Sequence, residues 1–389
     1  MKGNPKLEMD EIMLRFPHLM EQVLQKLDDK GLLKSREVAR SWQEFIDAKQ
    51  YPWLRTVNIP TILNLGLNLG LCNTYMHLAA KKGQIEMFKV ILNSETDNNL
   101  ETVDCSNSLH LACHYGCVRV VEMLLTKYDD SKVDLRRKTN NGETAFHSAC
   151  IGGSSEILEL IMKNYHKLKI DLNEKDHHLR TGFSYACNIG HIEIVAMIVK
   201  NSKRMNIELN TLDIHDCNAF NYACQNDHLE VAKIIMEEFT RLKFDLNAQD
   251  KSGFTAFHTA CRKGSVSIVN MMLDQSEFDL SLKTVNGHTG FHLACYSGQF
   301  FTVEILINKS ESTDLDSTAK DSWGRTAFHL ACSAGQTNLV EMLIDKSEYL
   351  KLDLTATDDS GSTGYQLAVK WNKWNIVDMI KHKMPSLIL

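Results

Sequence analysis

The sequence predicts an all-α solenoid of stacked helix–turn–helix repeats, preceded by a small helical segment. A short phrase ending in His-x-Ala-Cys or a variant recurs nine times between residues 73 and 383, most clearly at Thr255–Cys261 and Thr326–Cys332. Its His position recurs every 33, 34 or 37 residues. A period in this range is typical of units that bury their apolar faces only against neighbouring units. Such a stack is built as a binding surface.

Each repeat is predicted to contain two helices and a loop. Three residues after the phrase stands a Gly in seven repeats and Asp227 or Asn372 in the other two. All three residue types tolerate the left-handed conformation that ends a helix. A second apolar stretch at helical spacing follows, as in 194–199, and a polar stretch then closes on Asp-Leu-Asn or a variant. We therefore expect helix, turn, helix and extended hairpin loop.

This pattern resembles the ankyrin repeat, whose signature is Thr-Pro-Leu-His-x-Ala at about 33 residues. Ala or Gly replaces the Pro, Phe replaces the Leu, and three or four extra residues are expected between second helix and hairpin. The resemblance covers residues 73–383 and implies nine repeats. The fourth and fifth repeats depart most, with Ser184 and Asn221 at the His position and Leu179 and Asp216 at the hairpin Gly position.

The composition indicates a folded chain that stays inside the cell. The sequence is 43% hydrophobic and 24% charged, and its net charge is −6. Because a mildly acidic array binds polyphosphates poorly, nucleic acid is not expected as the main partner. No run approaches the roughly 20 apolar residues that cross a bilayer, and the N-terminus lacks the apolar core of a signal peptide. We expect no membrane insertion and a cytoplasmic location, with the nucleus as the alternative.

Cysteine usage favours buried thiols over disulfides. Equivalent positions in stacked helices lie roughly 8 to 10 Å apart, and Cα atoms more than about 7 Å apart cannot be bridged. Small buried thiols in a reducing compartment fit this pattern. Seven of the eleven cysteines share one repeat position: Cys113, Cys150, Cys187, Cys224, Cys261, Cys295 and Cys332. The others are Cys72, Cys105, Cys117 and Cys217.

The recurring His-x-x-Cys, as at His258 and Cys261, places an imidazole and a thiol about one helical turn apart. A zinc site needs four converging ligands, whereas each repeat offers two. An enzyme using such a pair would also need an orienting residue, and the sequence indicates none. We interpret the His as hydrogen-bonded to the adjoining loop beside a core Cys. We predict no catalytic residue, metal or cofactor.

Residues 10–57 lack the repeat and read as three short helices. They resemble an F-box, whose pattern includes Leu-Pro, Leu after an Asp-rich turn, Val-x-Arg-x-Trp and a closing Leu-Trp; Phe16 replaces the usual first Leu. The resemblance implies docking on the Skp-type adaptor of a cullin complex. The residues it assigns to that contact are Phe16, Pro17, Val23, Leu27, Leu32, Val38 and Trp42. The alternative is a helical cap that shields the first repeat.

The remaining segments are predicted to be a flexible N-terminus at 1–9, a packed connector at 58–72 and a C-terminal tail at 384–389. In an ankyrin stack, hairpin tips and first helices line the concave face, where residues vary between repeats. The residues assigned to target binding by this resemblance are His114, Tyr115, His178, Arg180, Phe254, Arg262, Lys263, His288, Tyr296, Trp323 and Arg325. We expect Trp323→Ala and Arg325→Ala to weaken target binding and to leave thermal unfolding nearly unchanged.

The predicted function is a non-enzymatic adaptor. By resemblance, the F-box recruits the ubiquitin ligase and the repeats capture an unknown target protein. The alternative is an ankyrin scaffold without a ligase role.

Overall fold

A computed structural model describes residues 107–126, 136–242, 244–311, 313 and 315–387. The predicted all-α architecture is confirmed there: these residues form helices without any β-strand, and an isolated bridge pairs Thr357 with Thr363. No helix among them has the length and apolar character needed to cross a membrane. The segment at 10–57, the connector at 58–72 and the first repeat lie outside the described residues. The chain divides into two compact units, Met1–Gly182 and Phe183–Leu389.

In the first unit the described residues form two helix pairs. The first helices, α1 and α3, pack on each other, as do the second helices, α2 and α4. The pairs are α1 (Ser108–His114) with α2 (Val118–Thr126), and α3 (Ala145–Gly152) with α4 (Ser155–Leu168).

The second unit continues with the same helix pairs. Its first helices are α5 (Gly182–Ile189, beginning at the boundary residue), α7 (Ala219–Gln225), α9 (Ala256–Lys263), α11 (Gly290–Tyr296), α13 (Ala327–Ala334) and α16 (Gly364–Lys370). Its second helices are α6 (Ile192–Met205), α8 (Leu229–Leu242), α10 (Val266–Leu273), α12 (Phe300–Lys309), α14 (Thr337–Asp345) and α17 (Trp374–Lys383). Short α15 (Ser347–Leu350) follows α14, and a 3-10 turn (Pro385–Leu387) follows α17. From α7 onward each first helix packs on the next.

The predicted left-handed positions are confirmed where the structure describes them. Gly264 ends α9 with φ 82°, and Asp227 and Asn372 replace that Gly with φ 61° and 56°. At the hairpins, Leu179 (φ 60°) and Asp216 (φ 63°) take the conformation that Gly adopts elsewhere. The backbone requirement of the turn therefore persists where the Gly is lost.

The predicted position of the extra residues is wrong for the third to fifth repeats. They lengthen the second helix instead of following it: α4, α6 and α8 have 14 residues each, whereas α10, in the 34-residue repeat, has 8. α4 and α6 end at Lys169 and Asn206, which adopt φ 53° and 52°. A continued helix satisfies its own backbone hydrogen bonds, so it accommodates the residues without a longer loop.

At some junctions between repeats, a Gly at the start of a first helix leaves space for the Phe ring of the preceding repeat. We call this space a glycine notch. A Cβ atom on Gly290 would lie 2.5 Å from Cε1 of Phe257 and 3.0 Å from Sγ of Cys261. A Cβ atom on Gly364 would lie 2.7 Å from Cδ1 of Phe328. The Phe ring of one repeat therefore occupies the space that a methyl group would take in the next.

The hairpin tips of the second unit are joined by backbone hydrogen bonds. In each, an amide of the later tip donates to a carbonyl of the preceding tip: Lys251 to His215 (3.0 Å), Val285 to Ser252 (2.9 Å), Ser322 to Asn286 (3.0 Å) and Asp359 to Trp323 (3.0 Å). In the first unit, His177 donates to Asn141 in the same way (2.8 Å). Five successive tips of the second unit thus form one connected edge.

The C-terminal repeat exposes two tryptophans. Trp371 and Trp374 are 58% and 55% exposed. The predicted tail begins in the turn after α17, where the Met384 amide donates to the Ile380 carbonyl (2.8 Å). Leu387 is buried, which ties the described part of the tail to the stack.

Candidate binding surface

Each first helix with Thr at its N-cap and His three residues later begins with a reciprocal cap. In α9 the backbone amide of Thr255 donates to Nδ1 of His258 (3.1 Å), and the His258 amide donates to Oγ1 of Thr255 (3.3 Å). Two amides that the helix leaves unpaired are thereby satisfied. The His ring is the partner that closes this cap.

Where the His is present in the described repeats, its other ring nitrogen bonds to a backbone carbonyl at or beside the next hairpin. Nε2–H of His258 donates to the Leu282 carbonyl (2.9 Å), and that of His292 to the Arg325 carbonyl (3.2 Å). His147 makes the same bond to Arg180 within the first unit (3.1 Å). The interpretation of this His as bonded to the adjoining loop is confirmed.

These His rings are held in the neutral form. Burial lowers the pKa of both His258 and His292 to about 4, against the partial compensation of their carbonyl partners. The pKa values of His147 and His329 are lowered for the same reason. A charged ring would lose hydration that the site does not replace, so these side chains act as structural hydrogen-bonding groups.

Two repeats replace the His and keep the cap. The Thr363 amide donates to Oε1 of Gln366 (3.0 Å), and the Asn218 amide donates to Oδ1 of Asn221 (3.0 Å). An amide oxygen therefore performs the accepting role of the imidazole.

The repeat cysteines are buried and form no disulfides, as predicted. Cys113, Cys150, Cys187, Cys224, Cys261, Cys295 and Cys332 are each 0% exposed. Burial raises the pKa of their thiols wherever a shift is resolved, for example in Cys150 and Cys261. Among the described residues, no group of three or more His, Cys, Asp or Glu side chains is arranged to hold a metal ion.

Thiol-specific reagent should therefore label at most Cys72, Cys105, Cys117 and Cys217 in the native protein. Cys217 should react more slowly than Cys117, because burial and the nearby Asp213 raise the pKa of its thiol to about 12, and only thiolates react. Mass spectrometry after timed labelling measures the order, with denaturant as the control that exposes all eleven. Rapid native labelling of Cys150 or Cys261 would contradict the buried assignment.

At the tip of the eighth repeat, a buried carboxylate holds an arginine beside an exposed indole. Asp321, whose side chain is 0% exposed, accepts hydrogen bonds from Nε of Arg325 (2.9 Å) and from the backbone amides of Trp323 and Arg325 (2.9 Å each). Nε2 of His288 lies 3.3 Å from Oδ2 of Asp321. Burial alone would raise the pKa of this carboxyl, but the donors outweigh it and hold the pKa well below its usual value.

The guanidinium of Arg325 lies over the Trp323 ring, 4.6 Å from its centroid, and Trp323 is 47% exposed. The His288 ring of the preceding tip lies 6.2 Å from the same indole. The sixth repeat has a similar pair, with Arg262 4.8 Å from the Phe254 ring centroid. These predicted target-binding residues are therefore brought together on neighbouring tips.

The family model for ankyrin repeats matches the chain in three copies, over residues 76–176, 237–319 and 311–386. These ranges cover more than half of the sequence. The chain belongs to the ankyrin-repeat family. The ankyrin fold is a protein-interaction domain, and the reciprocal Thr–His cap described above is built on the Thr and His of its signature.

Among solved structures, the crystal structure of the human ASB11 ankyrin repeat domain is similar to this chain, with a TM-score of 0.52. The match has 20% sequence identity and covers 61% of this chain and 98% of that one. At this identity the likeness shows the ankyrin fold alone. No curated protein matches the sequence.

The predicted target-binding residues of the first unit form smaller groups. The His114 and Tyr115 rings meet edge to face at 4.8 Å, and Tyr115 is 46% exposed. Arg180 donates from Nε and Nη2 to the buried Asp176 (3.1 and 2.9 Å), which repeats the arrangement at Asp321. His178 is exposed beside this pair.

The sequence predicted the same role for Trp323 and Arg325, but the structure gives them different roles. Trp323 is half-exposed and suited to contact a partner. Arg325 balances a buried carboxylate, so the expectation that Arg325→Ala leaves stability unchanged does not follow from the structure. Sequence reasoning overlooked Asp321, although Asp recurs at that position as Asp176, Asp213, Asp250 and Asp358.

Two glutamines that sequence reasoning missed join first helices to the next turn. Nε2 of Gln299 donates to the Arg262 carbonyl (3.1 Å), and Nε2 of Gln336 donates to the Tyr296 carbonyl (3.3 Å). Their recurrence directly after Gly298 and Gly335 was the available signal. They fix the ends of the helices that present Arg262 and Tyr296.

Proposed function

We propose that this protein is a non-enzymatic adaptor that links a target protein to a cullin ubiquitin ligase. The ankyrin repeats bind the target through hairpin tips and first helices, and residues 10–57 dock on a Skp-type adaptor. Ubiquitin transfer belongs to the recruited enzymes, and this chain contributes proximity and effective concentration.

The observation that carries target binding is the placement of aromatic and cationic side chains on connected tips. Trp323 and Tyr296 are 47% and 55% exposed, while the Thr, His and Cys framework positions of the same two repeats are buried. Trp, Tyr and Arg are the residue types that concentrate binding energy at interfaces. The framework is thus internal, and the variable residues face a partner.

The ligase connection rests on the sequence resemblance alone. Val38, Arg40 and Trp42 provide Val-x-Arg-x-Trp, and Pro17 and Leu27 fall on the same F-box pattern. A helical domain of this length has a very small core and relies on a partner to cover its apolar face. These residues lie outside the described part of the chain.

Two variants should separate the two contacts. Leu27→Asp places a charge in the proposed docking face, at a cost of several kcal/mol if buried unpaired, and should abolish capture of a purified Skp-type adaptor by the full chain. Trp323→Ala should leave that capture intact and weaken target binding by about 2 kcal/mol or more. Co-precipitation of adaptor and target with each variant measures both.

The pattern of losses decides between adaptor and scaffold. Adaptor binding that survives Leu27→Asp would contradict the ligase assignment and leave the ankyrin scaffold with a helical cap. Glu341→Ala, in second helix α14, is the matched control and should change neither contact.

A further inference from the structure

In the sixth to eighth repeats, charge differs in sign between two groups of segments. Their hairpin and first-helix segments, 249–263, 283–297 and 320–334, contain six cationic and two anionic side chains. Their turn, second-helix and loop segments, 264–282, 298–319 and 335–356, contain three cationic and eleven anionic side chains. The tips are positive in a chain whose net charge is −6.

The two tip anions offset only part of this positive charge. Asp321 is fully buried and paired with Arg325. Asp250 accepts hydrogen bonds from the amides of Ser252 and Phe254 (2.8 Å each). The exposed cations are Lys251, Arg262, Lys263, Lys283 and Lys320.

Aromatic faces accompany these cations. Phe254 and Trp323 each lie under a guanidinium, which orients Arg262 and Arg325 while leaving donors for a carboxylate. Tyr296 on the intervening repeat is 55% exposed. The surface thus combines cations with apolar area, a composition suited to an acidic segment that also carries apolar side chains.

We propose that the tips of the sixth to eighth repeats bind an extended acidic segment of the target protein, with acidic residues recurring at every third position beside an apolar one. Stacked first helices lie about 8 to 10 Å apart, and a segment in the polyproline II conformation rises about 3.1 Å per residue with three residues per turn, so that every third side chain faces the same way. Three residues of the segment therefore match one repeat. This inference rests on the proposed target-binding role of the repeats and is independent of the ligase contact.

The charge distribution favours an acidic peptide over a nucleic acid, which is the competing polyanionic ligand. The anionic side chains of the described turns, second helices and loops would repel a long polyphosphate that extended beyond the tips, whereas a short acidic segment fits within them. A single-stranded RNA of comparable length therefore serves as a competitor in the test.

The experiment measures binding of a fluorescent peptide with Glu at every third residue around a central Tyr to the full-length protein. The peptide should bind, its affinity should fall as salt rises, and the same peptide with Lys for Glu should not bind. Arg262→Glu with Lys263→Glu should weaken binding at least tenfold. Lys200→Glu with Lys203→Glu, an equal charge change on exposed positions of α6, should leave it unchanged.

Each other result overturns the inference. Equal binding of the Lys peptide, no binding of the Glu peptide, or binding insensitive to Arg262→Glu with Lys263→Glu would remove the acidic assignment. Displacement of the peptide by RNA at comparable concentration would reassign the surface to nucleic acid. Because the peptide assay contains no Skp-type adaptor, its failure is distinct from a failure of the ligase connection.

Discussion

Lowering the pH from 6.5 to 4 should sharply reduce the free energy of unfolding of the second unit. The folded pKa values of His258 and His292 are about 4, against the ordinary 6.5. Between these values the unfolded chain binds protons that the folded chain excludes, so stability falls as pH falls through this window. Each ring contributes on the order of 3 kcal/mol, a large part of an ordinary domain's stability.

Denaturant titrations at a series of pH values measure this loss, and the chain itself suggests the control. His258→Gln with His292→Gln copies the cap at Gln366, whose Oε1 accepts the Thr363 amide. This double variant should be less stable at pH 7, because it loses the Nε2 bonds to the next hairpins. Its stability should vary much less between pH 6.5 and 4. An unchanged slope would contradict the role of these rings. The carboxyl of Asp321 has a pKa well below 3.8 and titrates below the window.

Asp321→Ala should destabilise the protein by about 1 to 3 kcal/mol, the range for leaving buried hydrogen-bond donors without their acceptor; the Arg325 side chain is partly exposed, so water compensates part of the lost ion pair. The change leaves the guanidinium of Arg325 and the amides of Trp323 and Arg325 without their acceptor. Thermal and chemical denaturation would report the loss as an earlier transition. The tip of the eighth repeat would loosen with it, because the same carboxylate orients Arg325 against the Trp323 ring.

The seventh repeat provides the matched rescue. There Thr284 occupies the position of Asp321, and its Oγ1 accepts the His288 amide (3.1 Å). Asp321→Thr with Arg325→His should therefore recover much of the stability that Asp321→Ala loses. Asp316→Ala, at an exposed loop position, should change stability by about 1 kcal/mol or less. Equal losses from Asp316→Ala and Asp321→Ala would contradict the buried-pair assignment.

Repetition made most of the described fold predictable. Asp227 and Asn372 carry no glycine signal, yet their register with the other repeats predicted a left-handed residue there, and both adopt that conformation. Because the His of the repeat phrase occupies an equivalent site in every repeat that has it, one inference gave the hydrogen-bonding role of all these His residues. Residues 1–106 lie outside the described part of the chain, so the F-box prediction stays a prediction.

Features that depend on the burial and the helix ends seen in the folded structure were not predictable from the sequence. The additional turns of α4 and α6 were assigned to a loop because the polar residues there suit either state. The shared role of Arg325 was missed because its sequence neighbours do not reveal that the carboxylate four residues earlier is buried. Variation between repeats identified the exposed surface, while the groups that position it required coordinates.

The glycine notches make the repeats distinguishable to one another during folding. A repeat that begins with Ala, as at Ala256 or Ala327, presents a methyl group where Gly290 and Gly364 admit a Phe ring. Pairing the wrong neighbours, within one chain or between two, would leave a clash at one junction and a void at another. Near-identical repeats are otherwise prone to such misassembly. The missing methyl groups thus make the junctions at Gly290 and Gly364 different from the junctions that begin with Ala.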